Sequence, residues 1–305
     1  MKAYINRKPV IGPWGGGNLW VKSSHDLLPY FNIEVVNNLE DRPDVLFIAG
    51  LNSDGDRDSI SAFEAIKYKA SRKLVGHDVK LILRVNENDA RKGTFGVDQA
   101  IKEVGNHMDC VIFVSKWLKD YFSADSWNTR TEYIYNGVDK EIFKSSSKLN
   151  NQKINIVTHH WSDNFMKGFD VYDHLDRWLT LNSDFSFTYI GRDRGTFKNT
   201  KVIKPIFGKS LGEELSRYDV YVSASRFDPG PNHIIESISC GLPTYVHKDG
   251  GGCVEFAGED HAYNDIDDLI EILLSKKYEK NTVWHPENWN NCVSKFASIA
   301  KELYQ

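Results

Sequence analysis

The stretch DVYVSASRFDPGPNHIIESISCGLP, Asp219 to Pro243, concentrates the residues best suited to chemistry. Asp228 lies in a Pro/Gly-rich loop and Glu236 follows it with seven residues between, on a helix whose neighbouring positions are Ile234, Ile235 and Ile238. A carboxylate among such neighbours is costly to bury without donors, and a hydroxyl-rich ligand would supply them. The loop runs straight into the helix, whose first backbone N–H groups form an anion site. Lys167 stands before Gly168 at another loop-to-helix turn, and His159 and His160 end the strand that precedes it. Adjacent strand residues point to opposite sides, so at most one of the two histidines faces a ligand there.

Other candidates carry less. GPWGGGNLW lacks the G-K-[ST] ending of a P-loop and the third glycine of a dinucleotide fingerprint, so by itself it is a tight turn. In NSDGDRDSISAFE the acidic residues Asp54, Asp56 and Asp58 alternate. Neither register puts Gly at the sixth position or Glu at the twelfth of a calcium loop, and a turn with a helix cap is expected instead. Cys110, Cys240, Cys253 and Cys292 form no C-x-x-C pair. This excludes the usual zinc spacing, and Cys110 and Cys240 read as buried small hydrophobes in a reducing compartment.

The elements that must hold these residues alternate. Val45–Ala49, Lys80–Val85, Cys110–Ser115 and Glu132–Tyr135 read as buried strands. Helices at Ser59–Leu74, Val97–Val104 and Lys116–Phe122 lie between them, the first with the capping-box pair Ser61 and Glu64. The pattern pauses at a polar linker, Phe143–Gln152. It restarts with strands at Ile154–Thr158, Phe185–Ile190, around Val202, Val220–Ala224 and Thr244–Val246. Helices are expected at Phe169–Leu181, Leu211–Tyr218, His233–Ser239, Ile266–Lys277 and Glu287–Leu303. Such alternation predicts α/β architecture: a parallel sheet wrapped by helices, twice over. The expected domains are residues 1–145, residues 150–280, and a final helix at 281–305 packing back on the first.

Composition narrows the class. A hydrophobic fraction of 41% over 305 residues supports two cores, and a net charge of -4 with pI near 6.2 argues against a nucleic-acid partner. No apolar run is long enough for a signal sequence or a spanning helix, so a cytoplasmic protein is expected. The basic face Lys67, Lys69, Arg72 and Lys73 is either solvated or a peripheral contact to anionic lipid. Trp284 and Trp289 are expected to be packing residues.

At Asp219–Pro243 the chain resembles the retaining GT-B glycosyltransferases of family-4 type, whose E-x7-E motif here reads Asp228, Glu236, Cys240, Gly241 and Pro243. GPWGGGNLW is similar to that family's N-terminal glycine loop, YNGVDKEIF to its N-G-V-D segment before the linker, MKGFD to its K-G motif and FTYIGR to the next strand end. The resemblance implies the GT-B fold, two Rossmann-like domains facing a cleft, and transfer of a sugar from a nucleotide-diphosphate sugar to a glycan or glycolipid acceptor. Configuration would be retained, with no metal and no further cofactor.

By the same resemblance Glu236 would hold the donor ribose, Lys167 would neutralise the diphosphate leaving group, and Asp228 would face the hydroxyls of the transferred sugar. Gly15, Gly16 and Gly17 would admit backbone to the phosphates or the acceptor. His160, Arg192, Lys204, Pro205, Arg226, Pro231, Asn232, His233 and Ile234 would complete the donor site, with the base near Lys204 and Pro205. Asn86, Asp89 and Arg91, from Asn86–Phe95 at a strand end, are the expected acceptor contacts.

Three departures stand out. Asp228 replaces the family's Glu and is one methylene shorter. HHWSDNFMKG lacks the Arg that precedes the family's Lys, for which Arg226 or Arg192 would have to substitute. RVNEND lacks the family's histidine. A nucleotide-sugar epimerase and a non-catalytic nucleotide-sugar-binding homologue share the architecture and stay open as alternatives. A two-domain solute-binding protein should carry an export signal.

Overall fold

The computed structural model describes residues 1–12, 15–55, 59–146, 148 and 152–305. They form two compact units. One comprises Met1–Asp89, Gly93–Gly137 and Glu287–Gln305; the other comprises Ala90–Lys92 and Val138–Pro286. The second unit therefore begins before the polar linker, at Val138, and the final helix belongs to the first.

The first unit contains strands β1 (Lys2–Ile5), β2 (Glu34–Val36), β3 (Val45–Ile48), β4 (Lys80–Val85), β5 (Cys110–Phe113) and β6 (Arg130–Tyr133). They pair in parallel in the order β2-β1-β3-β4-β5-β6. The near-continuous apolar runs VLFI and CVIF are what a sheet covered on both faces requires. Its helices are α1 (Gly16–Leu27), α2 (Ala62–Lys73), α3 (Asp89–Lys92, of which Ala90–Lys92 counts with the second unit), α4 (Val97–Gly105) and α5 (Lys116–Tyr121). One face packs on α1 and the chain's last helix through Trp20, Phe47 and Phe296, with Trp20 and Phe296 ring centroids 5.0 Å apart. The other face packs on α2, α4 and α5.

The expected capping box is present: Ser61 Oγ accepts from Glu64 N and Glu64 Oε2 accepts from Ser61 N. Asp54 pairs with Arg7 at 2.7 Å, a turn contact; Asp56 and Asp58 lie outside the described residues. The basic face on α2 is partly engaged, since Lys69 is ion-paired to Asp109 at 2.6 Å.

The second unit contains β7 (Ile154–His160), β8 (Phe185–Gly191), β9 (Lys201–Ile203), β10 (Val220–Ser223), β11 (Thr244–His247) and β12 (Ala262–Tyr263). Its helices are α6 (Phe169–Trp178), α7 (Lys209–Leu215), α8 (Asn232–Ser239), α9 (Gly252–Ala257) and α10 (Ile266–Ser275). The sheet is parallel in the order β12-β11-β10-β7-β8-β9. The chain thus runs outward from β7 to β9, returns to the centre, and runs outward again from β10. That is the Rossmann order, with a topological switch point between β7 and β10. The last helix, α11 (Trp289–Glu302), is capped by Asn288. Trp289 packs against the first core, and the Trp284 ring lies tilted against Phe256 with centroids 4.5 Å apart.

All four cysteines are buried and free. No helix among the described residues is long and apolar enough to cross a membrane.

Candidate functional site

The switch point of the second unit gathers the chemistry. After β7 the chain makes a short 3-10 turn, Phe165–Lys167, and enters α6 through Gly168. Gly168 has φ 89°, and a Cβ there would lie 2.2 Å from Ala224 Cβ and 2.3 Å from the Ala224 carbonyl oxygen. Only glycine lets the K-G turn press against the end of β10. After β10 the loop is pinned by its own backbone: Phe227 N donates to Asp249 O, Asp228 N to Gly250 O, and Gly252 N to Asp228 O. Phe227 sits at φ 52°, a left-handed conformation rare for so bulky a residue. Its pinned neighbours hold that strain directly beside Asp228.

These two turns bring Lys167 Nζ to 2.8 Å from Asp228 Oδ2. Ser225 Oγ donates to the same oxygen at 3.0 Å, and Arg91 Nε lies 3.6 Å from it. Burial alone would push the Asp228 carboxyl up, but the Lys167 and Arg91 charges outweigh it and hold the group well below the usual carboxylate range. Burial pulls Lys167 below the usual ammonium value, Asp228 opposes that, and Arg91 adds to it. The two groups have the geometry of an ion pair. Two cations surround one carboxylate, an arrangement suited to an additional anion.

Glu236, one turn into α8, accepts from His159 Nε2 at 2.8 Å. The other ring nitrogen, Nδ1, is 3.1 Å from the Tyr221 hydroxyl. With Nδ1 accepting from Tyr221, Nε2 carries the proton toward Glu236, so one carboxylate oxygen is fixed. His160, 3% exposed, has Nε2 2.8 Å from the Tyr172 hydroxyl. His233 Nε2 lies 2.8 Å from Ser223 Oγ, and its ring is 4.8 Å from that of His160. Burial, then the nearby Lys167 charge, lowers both His160 and His233 well below the ordinary histidine value, so both are neutral.

Asp228, His233 and Cys253 present ligating atoms within 4.8 Å of one another. Asp228 Oδ2 is already taken by Lys167 and Ser225, burial raises the Cys253 thiol well above its ordinary value, and a metal ion would face two buried cations. The charge balance favours an anion over a cation at this point.

The remaining residues divide. Pro231, Asn232 and Ile234 form the N-terminal turn of α8 beside His233. Arg226 was expected to face the donor, but its guanidinium is bound bidentately by Asp170 at 3.0 and 2.8 Å. Arg192 stacks over Trp161 at 4.0 Å. Lys204, exposed, and Pro205, half-buried, follow β9 at the sheet edge. Arg91, the expected acceptor contact, lies beside Asp228. Asp89, also expected there, is spent locally: it accepts from Thr94 Oγ1, Val97 N and Asp98 N, which tie down the start of α4. In the first unit Gly16 and Gly17 open α1, and Asn86 lies so close that a Cβ on Gly17 would be 2.8 Å from its Nδ2.

Solved structures of similar shape decide the architecture. Sucrose-phosphate synthase from Thermosynechococcus elongatus superposes with a TM-score of 0.73 at 14% identity, covering 99% of this chain and 98% of that one. The fold is GT-B. A second GT-B structure, Anabaena HepE in complex with UDP and glucose, gives 0.64 at 13% identity over 99% and 96% of the two chains. A GtfA/B complex structure gives 0.60 at 12% identity, with 85% of this chain covered; this chain spans only 57% of that chain's length. No protein-family model and no curated protein matches the sequence.

Proposed function

We propose that this chain is a glycosyltransferase that moves a sugar from a nucleotide-diphosphate sugar to a glycan or glycolipid acceptor, with retention of configuration and without a metal. The observation that carries the reading is the grouping of Lys167, Asp228 and Glu236 at the switch point of the second sheet, where folds of this kind take nucleotides. Glu236, oriented by His159, accepts from the ribose hydroxyls. Lys167 and Arg91 neutralise the diphosphate, whose charge grows as the glycosidic bond breaks. Asp228 is held ionised between them as an acceptor for hydroxyls of the transferred sugar. Arg91 supplies the cation that neither Arg226, bound to Asp170, nor Arg192, stacked on Trp161, is free to give. The base lies near Lys204 and Pro205.

The test is a thermal-unfolding panel of UDP, GDP, ADP and CMP with their sugar conjugates, with and without a chelator. A ligand at a hundredfold excess over its Kd adds roughly 2.7 kcal/mol, a midpoint shift of several degrees. A selective shift insensitive to chelator supports the reading, and no shift with any nucleotide in folded protein rejects it. Product analysis then separates transfer from epimerisation, because an epimerase alters the donor sugar with no acceptor present.

A further inference from the structure

Two hydrogen bonds converge on Asp228 Oδ2 from separate segments of the second unit, Lys167 Nζ at 2.8 Å and Ser225 Oγ at 3.0 Å. Lys167 ends the turn that enters α6, and Ser225 lies just past the exit of β10. Chain connectivity does not fix one segment against the other. Whether both donors reach one oxygen depends on what joins α6 to the end of β10. Two ties run through half-buried or exposed residues. Met166 O accepts from Arg226 N at 2.9 Å, and the Arg226 guanidinium is bound by Asp170, their side chains 19% and 42% exposed. An ion pair that water reaches holds a geometry only weakly.

A third tie is fully enclosed. Tyr172, in α6, donates its backbone N–H to Gly168 O at 3.1 Å and so belongs to the helical turn that Gly168 opens. Its hydroxyl oxygen accepts from Ala224 N at 2.9 Å and lies 2.8 Å from His160 Nε2 and 3.1 Å from Thr158 Oγ1. A phenol hydroxyl can donate once and accept twice, so three partners use all of its capacity. Of His160 and Thr158, one therefore donates to it and the other accepts. Tyr172, Thr158 and Ala224 are completely buried. Ala224 is also the residue against which Gly168 presses, and Ser225 follows it directly. One buried hydroxyl thus joins the turn that carries Lys167 to the segment that carries Ser225. Removing it strands the buried Ala224 N–H, which is costly to leave unpaired.

We infer that Tyr172 is a positioning residue for the Lys167–Asp228 pair, its hydroxyl bracing the turn before α6 against the exit of β10. The consequence for transfer, an ammonium held where the diphosphate departs, rests on the proposed function; the brace itself does not. Thr158 and His160 act one step further out, by holding the phenol oxygen at Ala224.

Double-mutant cycles of Lys167→Met and Asp228→Asn, read by urea unfolding of the full chain, measure the coupling of the pair in the wild type, in Tyr172→Phe and in Tyr218→Phe. Tyr218 is the control: it is 2% exposed, and its hydroxyl donates to Glu214 Oε1 at 2.7 Å before the start of β10 rather than at its exit. Tyr172→Phe should lose about half or more of the wild-type coupling and Tyr218→Phe almost none, although each removes one buried hydroxyl. Calorimetric titration then uses inorganic pyrophosphate, the group common to nucleotide-diphosphate sugars. Its binding should be about five-fold or more weaker in Tyr172→Phe and within about two-fold of the wild type in Tyr218→Phe. If Tyr172→Phe does not fold, Thr158→Val, which removes one group holding the phenol oxygen, should lower the coupling in the same direction. No coupling in the wild type, unchanged coupling in the variant that folds, or equal losses in Tyr172→Phe and Tyr218→Phe would overturn the inference. Lost coupling with unchanged pyrophosphate affinity would overturn the consequence for the diphosphate. Lost coupling in a protein whose wild type binds no pyrophosphate would sink the donor reading and leave the brace standing.

Discussion

Lys167, Asp228, Glu236 and His159 divide the work by charge and by hydrogen bond. If Lys167 neutralises the diphosphate as proposed, Lys167→Ala should lower kcat by roughly 10²–10³ with a smaller change in donor KM. Steady-state kinetics check this, and a change confined to KM would assign Lys167 to ground-state binding alone. Glu236 and His159 act as a unit, the imidazole holding one carboxylate oxygen at 2.8 Å while the other stays available. Glu236→Ala should weaken whichever nucleotide the unfolding panel selects by about ten-fold or more. His159→Gln, whose amide also donates, should raise donor KM only a few-fold at unchanged kcat. If His159→Gln and His159→Ala were equal in effect, the hydrogen bond to Glu236 would not matter. At this scale the sequence was informative about Lys167, Asp228 and Glu236, because each sits in a motif. It was silent about Tyr221 and Tyr172, because a tyrosine in an apolar strand or helix gives no sign of where its hydroxyl ends.

At the scale of elements, two turns decide the site: the K-G turn into α6 and the strained loop between β10 and α8. Gly168→Ala combines a positive φ with a clash into the Ala224 backbone and should cost at least about 1–3 kcal/mol. Gly195, at φ 73° with nothing within 4 Å of its would-be Cβ, is the control and should lose only about 1 kcal/mol when replaced by Ala. Urea unfolding of the two variants compares them, and equal losses would show that the Ala224 contact relaxes freely. Most long elements were legible from apolar periodicity. The first forty residues were not: β1 and β2 have four and three residues, and α1 opens on glycines that locally favour a turn. Only the trio Trp20, Phe47 and Phe296, far apart in sequence, reveals why that helix forms.

For the whole molecule, the buried histidines set a pH dependence. His160 and His233 are neutral in the folded chain, with values well below the ordinary 6.5 that they regain on unfolding. Below about pH 6.5 the unfolded chain therefore binds more protons than the native one. Stability should then fall with pH by up to about 1.4 kcal/mol per pH unit for each histidine. Asp228 has the opposite charge but the same direction. Its lowered value contributes stability that is present above 3.8 and lost in more acidic solution. Urea midpoints at pH 7.5 and 5.5 test the histidine window, and replacing His160 and His233 by Gln should flatten it. An unchanged midpoint in the wild type would show that both rings are protonated in the fold.

By itself the sequence determined the α/β class, the two-fold repetition of strand–helix units and the loop-to-helix stretch carrying Asp228 and Glu236, because periodicity and glycine placement act over a few residues. Tertiary structure decided the rest. Lys167 meets Asp228, and Glu236 meets His159, across 61 and 77 residues of chain. Arg226 is bound by Asp170, Asp89 caps the start of α4, and Arg84 is left as a buried charge. Each of these outcomes depends on which neighbours reach a charged group once strands from distant parts of the chain lie side by side, and local sequence carries no record of that competition.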